Sequence, residues 1–307
     1  MSSRLYDEPV SDPDLPRGVA LAWGVAAHPQ RGPKRELSIE RIVDAAVEIA
    51  DAGGLGAVSM ASVSASLGFT TMSLYRYVSA KDDLVLLMGE AGFGIPPETV
   101  REATTWREGL KVWSHAQVAT YERHPWLLDI PITGTPMTPN SLAWLDAALE
   151  VLKDQPLDSE EKLSIALAVM AQTRWRGSIE RGYRDAAQAA GIPEDAIDSG
   201  AASMLDALIT GEEFPHLRVL LDDGAFAPGP DDPFAFGLDR VLDGIERYLE
   251  AQPADRVRPA WDAPDPTDSD PKVKDAAKGV REAEKALREA RKRERQARTN
   301  AAEKLRR

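Results

Sequence analysis

From Ser38 to Leu249 the apolar side chains of this chain recur every three or four positions and nowhere alternate residue by residue, as a half-buried strand requires. That property excludes a sheet and commits the chain to helices packed on helices, an all-α fold. The first helix is expected after Ser38, whose hydroxyl can accept a free amide, with Glu40 in the first turn where the helix dipole favours a carboxylate. Ile39, Ile42, Val43, Ala46, Ile49 and Ala50 form its buried face, and "DAGGLG" stops it. Ser59 caps a second helix through Leu67, Gly68 ends it, Thr70 begins a third that runs through Tyr77, and Lys81 starts a fourth.

Later segments follow the same period. Trp106, Leu110, Trp113, Gln117 and Tyr121 share one helix face before His124 and Pro125 break it. A long helix from Ser159 to about Ala190 is apolar nearly all round between Leu163 and Ala171, so it must be covered by its own domain or by a partner. Leu238, Val241, Leu242, Ile245, Tyr248 and Leu249 make a further stripe, expected to join the long helix in an isologous interface between two copies. The chain therefore divides into an aperiodic, mobile arm (1–30), a small helical domain (31–94), a larger one (95–251), a Pro- and Asp-rich linker expected to be disordered (252–271) and a charged helical tail (272–307). In the tail, Val273, Val280 and Leu287 repeat every seven residues beside a row of alanines, too thin a seam for a stable coiled coil.

Charge narrows the function. The net charge is -13 over 307 residues, which argues against a chain that coats itself in nucleic acid. The excess is uneven: residues 95–271 hold 15 Lys and Arg against 32 Asp and Glu, residues 31–81 hold 6 against 5, and residues 272–307 hold 14 against 6. Any contact with DNA must therefore be local. With no cysteine and four scattered histidines, a metal site is not expected, and nothing points to a cofactor. No apolar run reaches the roughly 18 residues that span a bilayer, and the acidic, Pro-containing start is no signal peptide, so a cytoplasmic protein with no membrane partner is expected.

The local contact is visible in "LGFTTMSLYRYVSAKDDL" at 67–84. Two short helices around a glycine turn, the second rich in small hydroxyls, match a helix-turn-helix unit. A major groove about 12 Å wide admits one helix whose leading side chains must be short and polar. Thr70, Thr71, Met72, Ser73 and Arg76 suit base edges, while Tyr75, Tyr77 and Lys81 suit phosphates that fix the register. Ser59, at the start of the preceding helix, joins the candidate DNA-binding set.

On these residues, and on "LG-F-T-x-x-S-LYRYV-x-x-K-x-x-L" within 31–94, the chain resembles the tetracycline-repressor-like (TetR) transcriptional regulators. The resemblance implies an all-helical homodimer with an N-terminal operator-binding head and a C-terminal domain that binds a small effector. It places the recognition helix at Thr70–Tyr77, with Tyr75, Tyr77 and Lys81 on phosphates of double-stranded DNA. One departure stands out: Ala61 occupies a position early in the second helix where the family often has a basic residue, and "RGPKR", with Lys34 and Arg35, is expected to compensate from the minor groove.

The aromatic residues of the larger domain suggest where an effector sits. Trp106, Trp113, Gln117, Tyr121, Trp144 and Trp175 would form an aromatic wall with one amide, suited to a flat or hydrophobic small molecule, although any one of them alone reads as core. The expected function is a ligand-responsive regulator, most simply a repressor released from a palindromic operator when its heads no longer match grooves about 34–36 Å apart. Two alternatives carry different signatures: a helical enzyme using the pairs Asp222-Asp223 and Asp231-Asp232 with magnesium, or a DNA-binding dimer with no ligand.

Overall fold

Ser38 accepts a hydrogen bond from the Arg41 amide at 3.2 Å and opens a helix that ends at Gly54, where φ is +75°. The same local logic sets the next elements in the computed structural model, which describes residues 15–25, 37–132, 134, 137–226, 232–251, 267 and 270–306. Among these residues there are twelve α-helices and no strand. They are α1 (Arg17–Ala22), α2 (Ile39–Gly53), α3 (Met60–Leu67), α4 (Thr71–Tyr75), α5 (Lys81–Phe93), α6 (Trp106–Arg123), α7 (Pro139–Val151), α8 (Ser159–Ala190), α9 (Glu194–Leu208), α10 (Pro215–Asp222), α11 (Pro233–Glu250) and α12 (Pro271–Arg306). Residues 1–251 form one unit and residues 252–307 another.

Two cores organise the first unit. In one, Ile42, Val58, Val63, Leu74, Val78, Leu84 and Met88 of the head are fully buried, and Tyr121, Trp126 and Leu127 of the larger domain belong to the same cluster. In the other, Leu110 and Trp113 of α6 pack with Trp144 and Ala148 of α7, Leu152 just past its end, Ile165 and Val169 of α8, and Leu238, Leu242 and Ile245 of α11. Head and body are thus joined by a continuous apolar contact through the end of α6.

Three expectations change. The aperiodic arm contains α1: Val19, Ala20 and Leu21 are buried, Gly18 N donates to Asp83 Oδ1 at 3.0 Å, and the Trp23 indole donates to the Met137 carbonyl at 2.7 Å. The short run "GVALA" after Pro16 is enough to make a buried turn once α5 offers a surface, a tertiary effect that periodicity over a longer window does not register. The recognition helix is shorter than expected, ending at Tyr75, though Tyr77 N and Val78 N still donate to the Leu74 carbonyl. The apolar stripe of α11 finds its mate inside the protomer, since Leu238, Leu242 and Ile245 are buried with α8 rather than open to a second copy. Most of the 252–271 linker lies outside the described residues.

Candidate nucleic-acid interface and effector site

The presentation of α4 is set by caps on both sides of the turn. Ser59 Oγ accepts from Ser62 N at 3.0 Å while Ser62 Oγ accepts from Ser59 N at 2.9 Å, a reciprocal box that fixes the start of α3. Gly68 then takes a left-handed turn with φ +74° that a side chain would strain, and reverses the chain. Thr70 accepts from Ser73 N at 3.3 Å and starts α4. Leu74 and Val78 are fully buried. The opposite face is open: Met72 is 74% and Tyr75 43% exposed, and Thr70, Arg76 and Lys81 are exposed with them.

The remaining candidates are less available. Thr71 and Ser73 are half-buried and hydrogen-bonded, Thr71 Oγ1 to Ser64 Oγ at 3.1 Å and Ser73 Oγ to Thr70 Oγ1 at 2.8 Å. Tyr77 is half-buried against the head core. Ser59 is exposed but engaged in its capping box. Lys34 and Arg35 lie outside the described residues. At the start of α5 no side chain caps the amides after Ala80, which leaves them able to meet a phosphate beside Lys81. Two first-turn carboxylates oppose such a contact: Asp82, which is exposed, and Asp83, which accepts from Gly18 N and from Ser79 Oγ.

The aromatic wall does not assemble as one surface. Trp113 is fully buried, and its indole donates to the Trp144 carbonyl at 2.8 Å, with the two rings edge-on at 6.3 Å. Trp144 in turn donates to the carbonyls of Gly94 at 3.1 Å and Phe93 at 3.3 Å. Tyr121 sits in the other core, edge-on to Phe93 at 6.2 Å and against Gly177, where a Cβ would come within 2.9 Å of its ring. Burial pushes the Tyr121 phenol above its usual value, against the pull of Arg174. Trp106 is half-buried and lines a separate surface groove of about 510 Å³ with Thr105, Glu150 and Gln155. Trp175 is 59% exposed on the outer face of α8. Periodicity gave Trp106, Trp113, Gln117 and Tyr121 a common face on α6, whereas Trp144 and Trp175 come from α7 and α8, and packing decides which of the six are enclosed.

Gln117 stands apart. It lies one turn from both Trp113 and Tyr121, is only 3% exposed, and among the described residues its amide has no hydrogen-bond partner. Its neighbours are satisfied: Ser114 Oγ meets Thr173 Oγ1 at 2.7 Å, and Thr173 also donates to the Val169 carbonyl. A feature absent from the sequence reading lies at the end of α6. Asp51 Oδ1, on α2 of the head, accepts from the Trp126 indole at 2.6 Å and meets His124 Nδ1 at 2.8 Å. These residues are more than 70 positions apart in sequence, so no local pattern announced the link.

The family description "Bacterial regulatory proteins, tetR family" matches residues 42–88, and "Tetracyclin repressor-like, C-terminal domain" matches residues 99–249. The HTH-type transcriptional repressor DrrR1 of Streptomyces coeruleorubidus is 33% identical over 236 residues, 76% of this chain and 86% of that protein. The chain belongs to the TetR family. Among solved structures, ActR of Streptomyces coelicolor in complex with actinorhodin matches this TetR-family chain with a TM-score of 0.58 at 24% identity, covering 71% of this chain and 98% of that one. ActR in complex with (S)-DNPA gives 0.56 at 21% identity, covering 69% of this chain and 98% of that one, a likeness of fold.

As a TetR-family member the protein is a DNA-binding transcriptional regulator and not an enzyme. Two of the four aspartates of the magnesium alternative have other work: Asp222 pairs with Arg218 at 2.7 Å, and Asp232 accepts from Phe234 N and Ala235 N at the start of α11. Asp231 lies outside the described residues. Among the described residues no helix is long and apolar enough to cross a membrane.

Proposed function

We propose that this protein is a homodimeric repressor, released from a palindromic operator when a small hydrophobic or aromatic effector binds along α6. The observation that carries the effector reading is the amide of Gln117. An unsatisfied buried amide costs about 1–3 kcal/mol, which a ligand carrying a matching donor or acceptor would recover. Its position gives the occupant leverage: α6 runs from the aromatic core at Trp113 to His124 and Trp126, which meet Asp51 of the head. A ligand wedged against Gln117, between α6 and what packs on it, would displace the end of α6 and change how the heads are held. Trp106 and Trp175 are not part of this reading, and Trp113 and Trp144 enter it as walls.

The dimer reading rests on a different surface. Leu163, Leu167, Ala171 and Trp175 step by four along α8 and are exposed, as is Phe236 of α11 at 64%. A continuous apolar strip of this kind is what an isologous helix interface covers.

The test combines stability and operator release. Gln117→Leu should raise stability by about 1–3 kcal/mol, keep operator binding, and abolish release by an aromatic effector found by thermal-shift screening of the wild type. A Gln117→Leu protein that is released at the same effector concentration as the wild type would remove α6 from the effector site.

A further inference from the structure

We propose that α12 is a second DNA-binding element, a basic helix that lies along phosphates flanking the operator while the head reads the operator itself. The proposal rests on the DNA-binding reading of the head but uses residues beyond 249, where the family match ends. In α12 the positions Lys274, Lys278, Arg281, Lys285, Arg288, Lys292 and Arg295 advance by alternating steps of four and three. At 3.6 residues per turn they fall within an arc of about 100°, and no Asp or Glu enters that arc between 274 and 295. Val273, Ala276, Val280, Ala283, Leu287 and Ala290 occupy a second arc on roughly the opposite side. Lys274, Lys278, Arg281 and Lys285 are exposed, and Lys278 makes only a loose pair with Glu282 at 3.9 Å.

Such a stripe repels itself. Like charges three and four residues apart destabilise a helix, and a helix that had only to stay soluble would be helped by acid interleaved on the same face. A polyanion removes the repulsion. DNA carries one charge per roughly 1.7 Å of axis, so an unbroken basic row meets phosphates at any register and needs no base contact. The acidic residues of the first unit are a poorer match, because many are already engaged: Asp239 and Asp243 with Arg107, Asp206 and Asp222 with Arg218, Glu150 with Arg101. Twenty residues join Glu250 to Pro271, a length that covalent geometry lets extend to about 70 Å at most.

The test uses the full chain with Lys274, Lys278, Arg281 and Lys285 all changed to Gln, which keeps helix propensity. Binding is measured across a salt series on two duplexes, the operator selected from a random pool and trimmed to its bound site, and the same operator within long flanks. On the long duplex the variant should bind at least about tenfold more weakly near 0.1 M salt, with a slope of log K against log salt shallower by about 2 to 4. On the trimmed duplex it should match the wild type. Equal slopes on the long duplex, or equal losses on both, would overturn the proposal. Tighter binding by the variant would also overturn it and assign α12 to the protein's own acidic surface. A change in oligomeric mass for Val280→Asp and Leu287→Asp, with the salt slope of the Gln variant unchanged, would assign it to a second copy of the tail. Tyr75→Ala separates the two readings, because it should weaken both duplexes alike, and failure there counts against the head and not the tail.

Discussion

In the head, the side chains expected at the DNA surface are mostly at the surface: Thr70, Met72, Tyr75, Arg76 and Lys81 are exposed around a buried Leu74. In the body, the aromatic set drawn from three helices divides, with Trp113, Gln117, Tyr121 and Trp144 enclosed, Trp106 at a surface groove and Trp175 outside. The difference lies in what fixes each element. The head unit is held by contacts between neighbours in sequence, Ser59 with Ser62, Gly68 with its own backbone and Thr70 with Ser73, so spacing and residue type suffice to orient it. The body faces are covered by helices tens of residues away, as when the Trp144 carbonyl receives the Trp113 indole across 31 positions. Periodicity tells which residues share a face, and only tertiary packing tells what lies over it.

The largest expected effect tests that division within the body. Trp113→Ala should lower stability by about 3–5 kcal/mol, because it empties a fully enclosed site and removes the bond that the indole donates to the Trp144 carbonyl. Trp175→Ala, from the same candidate set, should leave protomer stability within about 0.5 kcal/mol and instead raise the monomer fraction in sedimentation at micromolar concentration. Charge on the α11 stripe behaves like the first case: Leu242→Asp should unfold the chain, since Leu242 is fully buried within the protomer. Equal denaturant midpoints for Trp113→Ala and Trp175→Ala would break the comparison.

The legible parts of the fold follow from this. Ser38, Ser59, Gly68 and Thr70 marked helix ends that the structure reproduces, and the span Ser159–Ala190 was readable from its long apolar run. The burial of α1 was not, because six residues carry too little periodicity and need α5 to make them helical. Nor was the link between Asp51 and Trp126, in which a carboxylate at the end of one helix is matched to an indole 75 residues later. Sequence patterns give chemistry where donor and acceptor are neighbours; the Gln117 amide is informative for the opposite reason, since its burial without a partner among the described residues emerges only in the folded chain.

A middle-sized effect examines the head. Tyr75→Ala or Lys81→Ala should weaken binding to specific and non-specific duplexes alike, by roughly three- to tenfold each, because a phosphate contact carries no sequence information. Met72 and Thr70 are the exposed candidates for base contact, so their replacement should change the selected consensus by about 1–3 kcal/mol at one position of each half-site. Thr71 and Ser73, half-buried and hydrogen-bonded, should alter the consensus less. A consensus that shifts for Thr71→Ala but not for Met72→Ala would mean that α4 enters the groove with its other edge.

The smallest expected effect separates local from distant stabilisation at a single residue. Asp232 accepts from Phe234 N at 2.9 Å and Ala235 N at 3.0 Å as the cap of α11, and it also meets Arg176 of α8 at 2.9 Å. Burial of the carboxylate opposes its ionisation, but the two backbone amides and Arg176 outweigh it and hold its pKa below the usual 3.8. A carboxylate whose folded pKa is lowered adds stability above its unfolded value, and that stability is lost as pH falls through the folded one. Asp232→Asn keeps an oxygen to cap the helix and removes only the charge, so at pH 7 it should cost no more than about 0.5–1 kcal/mol, given that 43% of the side chain faces solvent. As pH falls through the lowered folded pKa the two proteins should converge in stability, because the wild-type carboxylate is then protonated as well. Asp232→Ala removes the cap too and should cost about 1 kcal/mol more at every pH. If the Asn and Ala variants prove equally unstable at pH 7, the ion pair across to α8 outweighs the cap, and α11 is positioned by a distant contact as the aromatic face is, not by its own sequence.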